Sequence, residues 1–466
     1  MKRIFAAVVC AVMLAISLAG CSGGTGETGD AGNAGEVTTI TIWSGDSHSQ
    51  ETMNRVIAEY NQTKGKESGI QIEYSVRDGD YGQVLDMALA SDQGPDLFGM
   101  SNPVTNYAER GYIMPIEDLP GGAEYVQQYA DLLVEDTHTY QGKTYKVPFY
   151  VVTTGLIYNK DMFRKYGIVD ENGEPTPPTT FDEVREYAKI MTNPDEREYG
   201  IAIPLKSSGI VGTDIANLSL SSSGYKLFNP VTGQYEFEGV KPVLEMFMGI
   251  KEDGSYFPGA EGLEDDPARA QFAEGGIGMK FSGSYDVGVL NDQFPAKIDW
   301  GVAPYPVADP ANRYRQRMAS DGYLCINKAN AEEKGLDKIM EVFEWFHGED
   351  VLVELYKDCK SIPYDWSMVE DITLENPKTG WVEYCQMTEI SSVEHRSVTA
   401  DLTGKKDLAT LFVEDLWTGE ITVDEAVQTL NQAYNEGMQK TLEENPNISL
   451  EDYIDPDWNI RLDTGA

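Results

Sequence analysis

Basic residues are what this chain has least of, 36 Lys and Arg against 77 Asp and Glu, for a formal charge of −41. Such a field repels nucleic acid and anionic lipid surfaces, and no basic stripe offsets it, so nucleic acid is excluded as a partner. It favours solubility and weakly disfavours anionic ligands. Histidine is also scarce: His48, His138, His347 and His395 are scattered with no H-E-x-x-H, which excludes the common zinc sites. Cysteine numbers five, and Cys10 and Cys21 fall in the amino-terminal segment. The remaining Cys325, Cys359 and Cys385 have no C-x-x-C spacing, so a metal knuckle or disulfide framework is excluded, while a single Cys359–Cys385 bridge stays open. Gly142-Lys143-Thr144 lacks the glycine that a phosphate loop needs five positions earlier, where Thr137 stands. Asp170-Asn172-Glu174 and Asp455-Asp457-Asn459 fail as calcium loops because their glycine is misplaced or absent. No catalytic residue, metal or other cofactor is expected.

Long apolar runs are absent but for one, Ile4 to Leu18, preceded by Lys2 and Arg3. It is too short for a membrane span of ~20 residues and has the charge, length and small-residue end of a secretory signal over residues 1–20. Its end, Leu18-Ala19-Gly20-Cys21, resembles a bacterial lipobox, which implies cleavage before Cys21 and lipidation of that cysteine. Residues 21–36 hold no large apolar side chain except at their border and read as a flexible tether. Two strings here, Gly20-Cys21-Ser22-Gly23-Gly24 and Gly24 to Gly29, match hydrolase and dinucleotide motifs. They lack the strand and helix context those motifs require.

The ordered part begins with alternating strands and helices. Thr39 to Trp43 is a β-branched run suited to a buried strand, and Met53, Val56, Ile57 and Tyr60 follow at helical spacing, with Ser47 and Gln50 as a capping box. Ile70 to Val76 alternates apolar and polar, Tyr81 to Leu89 carries another helical stripe, and Asp96 to Met100 is a third strand. This β-α-β-α-β order predicts an α/β fold with a parallel sheet covered by helices. Further helices are predicted behind Thr180/Glu183, Pro242, Ile339 and Thr422/Glu425. The tail after Pro446 is expected to pack over existing structure.

Several strings then occur in series: Ile42-Trp43, Pro95 to Phe98, Gly111 to Ile116, Gly142 to Pro148, Leu156 to Phe163, Pro178 to Glu183, Phe272 to Met279 and Trp300 to Pro306. Their order over residues 37–350 resembles the extracellular solute-binding proteins of carbohydrate ABC transporters, the group that includes the maltose-binding proteins. The resemblance implies a two-lobed, periplasmic-binding-protein-like (type II) fold closing by a hinge around a sugar or oligosaccharide. It implies residues 37–149 and 302–350 in the first lobe, and 150–301 and 351–466 in the second. It further implies delivery to permease subunits, attachment to the extracellular face of the membrane by a lipid, a monomer and no enzymatic activity. Alternatives are a receptor for another small solute such as a polyamine or phosphodiester, a secreted glycosidase, or a structural surface lipoprotein.

Ligands in open α/β sheets bind beyond the carboxyl ends of the strands. A sugar there wants carboxylates and amides for its hydroxyls and a flat aromatic for its ring face. Trp43 and Asp46 offer both at one strand end, and Asp96, Ser101 and Asn102 are further candidates. Each has a structural rival: Trp43 as packing, Asp46 as a helix cap, Asp96 as a pin for the strand start. From the second lobe the resemblance implies Ser284 and Tyr285, with Tyr standing where the family commonly has Trp. Tyr225 and Trp366 are also candidates, with Tyr150 and Tyr323 as weaker ones at the hinge.

Overall fold

The computed structural model describes residues 37–77, 81–100, 104–135 and 137–462, apart from the side chains of Asp131 and Asp321. The leader, the tether with Cys21, and the candidates Ser101 and Asn102 lie outside the described residues.

Two sheets carry the fold. Their strands, in chain order, are β1 (Thr38–Ser44), β2 (Ile70–Val76), β3 (Leu97–Gly99), β4 (Pro148–Asn159), β5 (Tyr199–Ile201), β6 (Ile277–Gly283), β7 (Trp300–Ala303), β8 (Gln316–Gly322), β9 (Leu324–Ile326), β10 (Ile362–Pro363) and β11 (Ser391–Ser392). The first sheet has the order β9-β3-β1-β2, with β1 parallel to both neighbours and β9 antiparallel at the edge. The second has the path β11-β8-β4-β6-β5, and β7 and β10 also pair with β4.

The first sheet follows its sequence pattern. Ile40 and Ile42 of β1 and Ile70 and Ile72 of β2 are buried, while Gln71 and Glu73 face solvent. The helix Gln50–Gln62 lays Met53, Val56, Ile57 and Tyr60 on this core, and Tyr81–Ala90 buries Leu85 and Leu89. Its start differs from expectation. Ser49 is the capping position and makes no side-chain bond; instead the Asp46 carboxylate accepts the N–H groups of His48 (2.9 Å) and Ser49 (3.3 Å). The boxes Thr180/Glu183 and Thr422/Glu425 form as predicted, each satisfying two otherwise orphaned donors.

The long strand β4 joins the sheets. Phe149 belongs to the core of the first and Val151 to a core of the second. The chain returns along β8, antiparallel to β4, and enters the first sheet at β9; it leaves again through β10, where Ile362 pairs with Val151 and Pro363 with Tyr150. β7 and β8 both hydrogen-bond to β4 before the chain pairs with the first sheet through β9. The helix Glu349–Lys357 packs Val351, Leu352 and Leu355 into the first core. The tail lies on the second sheet's side: Asp455 N–H bonds Pro230 O, and Leu462 N–H bonds Arg313 O. Cys325, Cys359 and Cys385 are buried and in no disulfide, so the open Cys359–Cys385 bridge is not formed. Among the described residues no helix is long and apolar enough to cross a membrane.

Candidate ligand cleft

At the carboxyl end of β1 the backbone is held by hydroxyls. Buried Ser44 accepts the N–H of Asp46 (2.9 Å) and its hydroxyl meets that of Tyr323. The Tyr323 ring packs on both Phe149 (5.5 Å) and Phe346 (5.9 Å), and burial holds its hydroxyl far above the ordinary tyrosine value. Burial likewise pushes Tyr74, on the neighbouring strand, up to about 12. Trp43 is half-buried, and the Arg77 guanidinium lies 3.7 Å from its ring centre, so one ring face is already taken by a cation. Tyr81 fixes the same edge by donating to Gly99 O (2.7 Å) and Trp43 O (3.2 Å). The loop ordered by Asp46 carries Ser47 and His48 to the rim of a cleft of about 1230 Å³.

The opposite wall is built on β6. Ser284 is buried and its N–H bonds Thr153 O (2.9 Å), whereas Tyr285 is 46% exposed and lines the cleft. Its ring folds back over Gly283, where a Cβ would come within 2.5 Å of it; only glycine admits that approach. Under the ring lies Arg269, its guanidinium 5.4 Å from the ring centre. Arg269 in turn binds Asp286 (2.6 Å), Asp266 (2.7 Å) and Asp265 (2.9 Å). Lys280, almost fully buried, lies 2.8 Å from Asp265 and 3.8 Å from Asp286. Asp286 accepts from Ser282 Oγ (2.7 Å), which accepts from the Tyr384 hydroxyl (2.8 Å). Buried carboxylates are tolerable here because two cations and two hydroxyls compensate them. Asp265 and Asp266, the adjacent carboxylates a glycosidase reading would use, are therefore both bound to cations.

Farther along the same wall the cleft meets Gly288, Val289 and Asp292, then Lys360 and Lys378. Lys378 and Lys360 both reach Asp292 Oδ2, at 2.5 and 3.5 Å. Burial raises the Asp292 carboxyl, but the two ammonium groups outweigh it and hold it below its ordinary value. Arg55 and Lys357 complete the rim, paired with Glu354 and Asp358.

Not every candidate gathers here. Asp96 is 1% exposed and stands before β3, at the end away from Gly99. Its Oδ2 accepts from Thr41 N (2.7 Å) and Thr41 Oγ1 (2.9 Å), its Oδ1 from Asn330 (3.0 Å), and Lys334 lies 3.6 Å away; it pins strands together. Tyr225 lines a separate pocket of about 150 Å³ with Glu394, His395 and Trp458. Trp366 is half-buried and packs edge-on against Tyr356 (5.9 Å), away from the cleft lining. Trp43 and Asp46 shape the cleft edge without lining it. Sequence reasoning missed Arg269, Asp292, Lys360 and Lys378. Arg269 had a local signal, its i−3 and i−4 spacing from Asp266 and Asp265, but the lysine pair is assembled from distant segments and had none.

Known proteins of this architecture agree with the geometry. A solute-binding protein of an ABC transporter from Thermotoga lettingae, solved with alpha-D-tagatose, superposes with a TM-score of 0.60 at 21% identity, over 86% of this chain and all of that one. The raffinose complex of RafE gives 0.60 at 16% identity, over 86% of this chain and all of that one. In sequence, the maltotriose-binding protein of Pyrococcus abyssi is 27% identical over 300 residues, 64% of this chain and 60% of the relative. The match thus spans well under two thirds of that relative's length. Residues 44–351 fit the profile of the bacterial extracellular solute-binding proteins, and with the two-lobed type II fold in place the chain belongs to that family.

Proposed function

We propose that this protein is the substrate-binding component of an ABC transporter, capturing a saccharide between its lobes and passing it to membrane permease subunits. The observation that carries the reading is the large cleft with Ser47 and His48 on one wall and half-exposed Tyr285 on the other. A ring resting on Tyr285 would use its apolar C–H face, while the charged side chains around it bond hydroxyls. The relatives named for maltotriose, raffinose and tagatose support the same ligand class. The alternation of Arg, Lys and Asp on the walls speaks against a polyamine, which needs an excess of carboxylates. A receptor role also fits better than glycoside hydrolysis, since Asp265 and Asp286 are committed to Lys280 and Arg269 and hydrolysis needs one protonated and one free carboxyl group.

Attachment through a lipidated Cys21 belongs to the proposal, supported by Leu18-Ala19-Gly20-Cys21 and the polar tether. One acyl chain anchors only marginally, so stable attachment needs more than one. Calorimetry against a panel of mono- and oligosaccharides tests the function: at least one is expected to bind. Silence across the panel, with tight binding of a peptide or a metal, would refute it. A chromogenic glycoside is expected to give a flat progress curve.

A further inference from the structure

One wall of the cleft carries two ammonium groups on a single carboxylate. Lys360 and Lys378 come from segments on either side of β10 and meet at Asp292, with side chains 17% and 26% exposed. In a chain with twice as many acids as bases, this pair lines the cleft with one ion-paired carboxylate, Asp292, among the described residues. The other cleft cations are matched or over-matched: Arg269 has three carboxylates, and Arg55 has two. Asp358 also acts on Lys360 through space, but it is bonded to Arg55, so the Lys360/Lys378 pair keeps an excess of positive charge facing the cleft.

The pair is also placed to act with Tyr285. Tyr285, Gly288, Val289 and Asp292 recur at helical spacing and all line the cleft, so they form one continuous strip. The strip runs from an α turn into a π turn (Val289–Gln293), so at no more than about 1.5 Å per residue it is at most about 10 Å long, the reach of about two sugar rings. Gly288 leaves its middle open, since a Cβ built there meets nothing within 4 Å. A ring stacked on Tyr285 can thus extend across Gly288 and present a substituent to the lysines.

We infer that the ligand is an anionic oligosaccharide, whose carboxylate or sulfate sits on Lys360 and Lys378 one or two rings away from the sugar stacked on Tyr285. This rests on the saccharide reading above and narrows it. The overall negative charge does not prevent it, because at physiological salt the field is screened beyond about 8 Å while the lysines act at contact distance.

The test is calorimetry on the purified protein with three probes: a uronic-acid trisaccharide, its neutral methyl ester, and an O-sulfated neutral trisaccharide. At least one anionic probe is expected to bind about ten- to a hundredfold more tightly than the methyl ester, the worth of charge-assisted bonds. Which of them does so separates carboxylate from sulfate. The advantage should shrink as salt is raised. K360Q/K378Q should erase it, bringing the affinity for the anionic probe down to that for the ester. D292N frees both lysines and should strengthen anionic binding several-fold, an effect opposite in sign to any structural damage. G288W, whose Cβ would meet nothing within 4 Å, puts a bulky ring on the strip and should abolish binding of all probes. Neither anionic probe binding more tightly than the ester, or a K360Q/K378Q protein that still discriminates, overturns the inference and leaves the saccharide reading standing. Failure of every saccharide, neutral or anionic, removes both.

Discussion

Replacing Lys280 with methionine tests whether the buried ion network holds up the second wall of the cleft. The ammonium group is 2.8 Å from Asp265 and 3.8 Å from Asp286, and it also donates to Phe281 O at 3.0 Å. Methionine fills nearly the same volume, so packing changes little and the loss is electrostatic. Arg269 would then face Asp265 and Asp286 alone, leaving one buried negative charge without a partner. Breaking a buried pair in this way costs about 3–5 kcal/mol. The described fold spans some 430 residues, and with about 2 cal/mol/K of unfolding entropy per residue the expected fall in Tm is roughly 3–6 °C. Scanning calorimetry measures it. A second variant separates charge from packing: K280M/D265N removes the stranded carboxylate and should recover a large part of the loss. A K280M protein with unchanged Tm, or a double variant no more stable than the single, would refute the compensation argument. Saccharide titration adds the functional consequence, since Arg269, released toward Asp265, would leave the underside of Tyr285 and weaken binding.

The remaining expectations concern single sites. Y285A should lower saccharide affinity by about tenfold, the worth of a ring contact, with no change in Tm because the ring is half-exposed; titration and calorimetry on one sample decide it. D96A should do the reverse, losing about 3 kcal/mol of stability with its bonds to Thr41 and Asn330 while the affinity of the folded protein stays put. Burial lowers His347 to about 4 and His138 to about 3, so unfolding takes up protons below pH 6.5 and stability falls as pH drops from 6.5 toward 4. Burial, with Asp265 and Asp286 nearby, pushes Asp214 up to about 7, so its contribution runs the other way and falls as pH rises from about 4 to 7. D214N should therefore steepen the acid-side slope between pH 4 and 6.5 by up to about 1.4 kcal/mol per unit, read from denaturant titrations at each pH.

Much of the fold was legible because it rests on local rules. The β1–β3 strands and their helices follow periodicity, and the Thr180/Glu183 and Thr422/Glu425 boxes follow spacing of three residues. What was not legible depends on pairing across long separations. Nothing in residues 300–322 announces that both β7 and β8 add to β4 before the chain returns to the first sheet. The site shows the same division. Tyr285 was found because it follows a strand end, and Asp46 sits at the edge it was assigned to, yet it holds the loop ahead of the helix by accepting the N–H groups of His48 and Ser49. Asp96 illustrates the limit of residue type as a guide: a carboxylate near a strand suits a sugar hydroxyl and a backbone N–H equally well, and only burial decides between them. Asp292 with Lys360 and Lys378 joins three segments that no local pattern links.

The seam between the sheets explains how such a cleft can close. Three segments cross side by side, with Tyr150 of β4 opposite Asp321 of β8 and Pro363 of β10. The ladder is weakest here: Pro148 and Pro363 have no N–H to donate, and the register slips between Asp321 and Gly322. Bending at this level breaks few hydrogen bonds, whereas bending two residues to either side would disturb packed cores. Phe149 is locked between Tyr150, Tyr323 and Phe346 in one lobe, and Val151 lies in the core of the other. A rotation at this level would be concentrated in about one residue per strand, leaving each packed core to move as a body. A ligand held by one wall alone gains nothing from that rotation; one that touches Tyr285 and the Ser47–His48 rim together favours the closed arrangement by the difference in its contacts between the two states. Lys360 lies only two residues before β10, so a charge bound there sits beside the axis, where it stays in contact through the whole movement and can be captured before the lobes close.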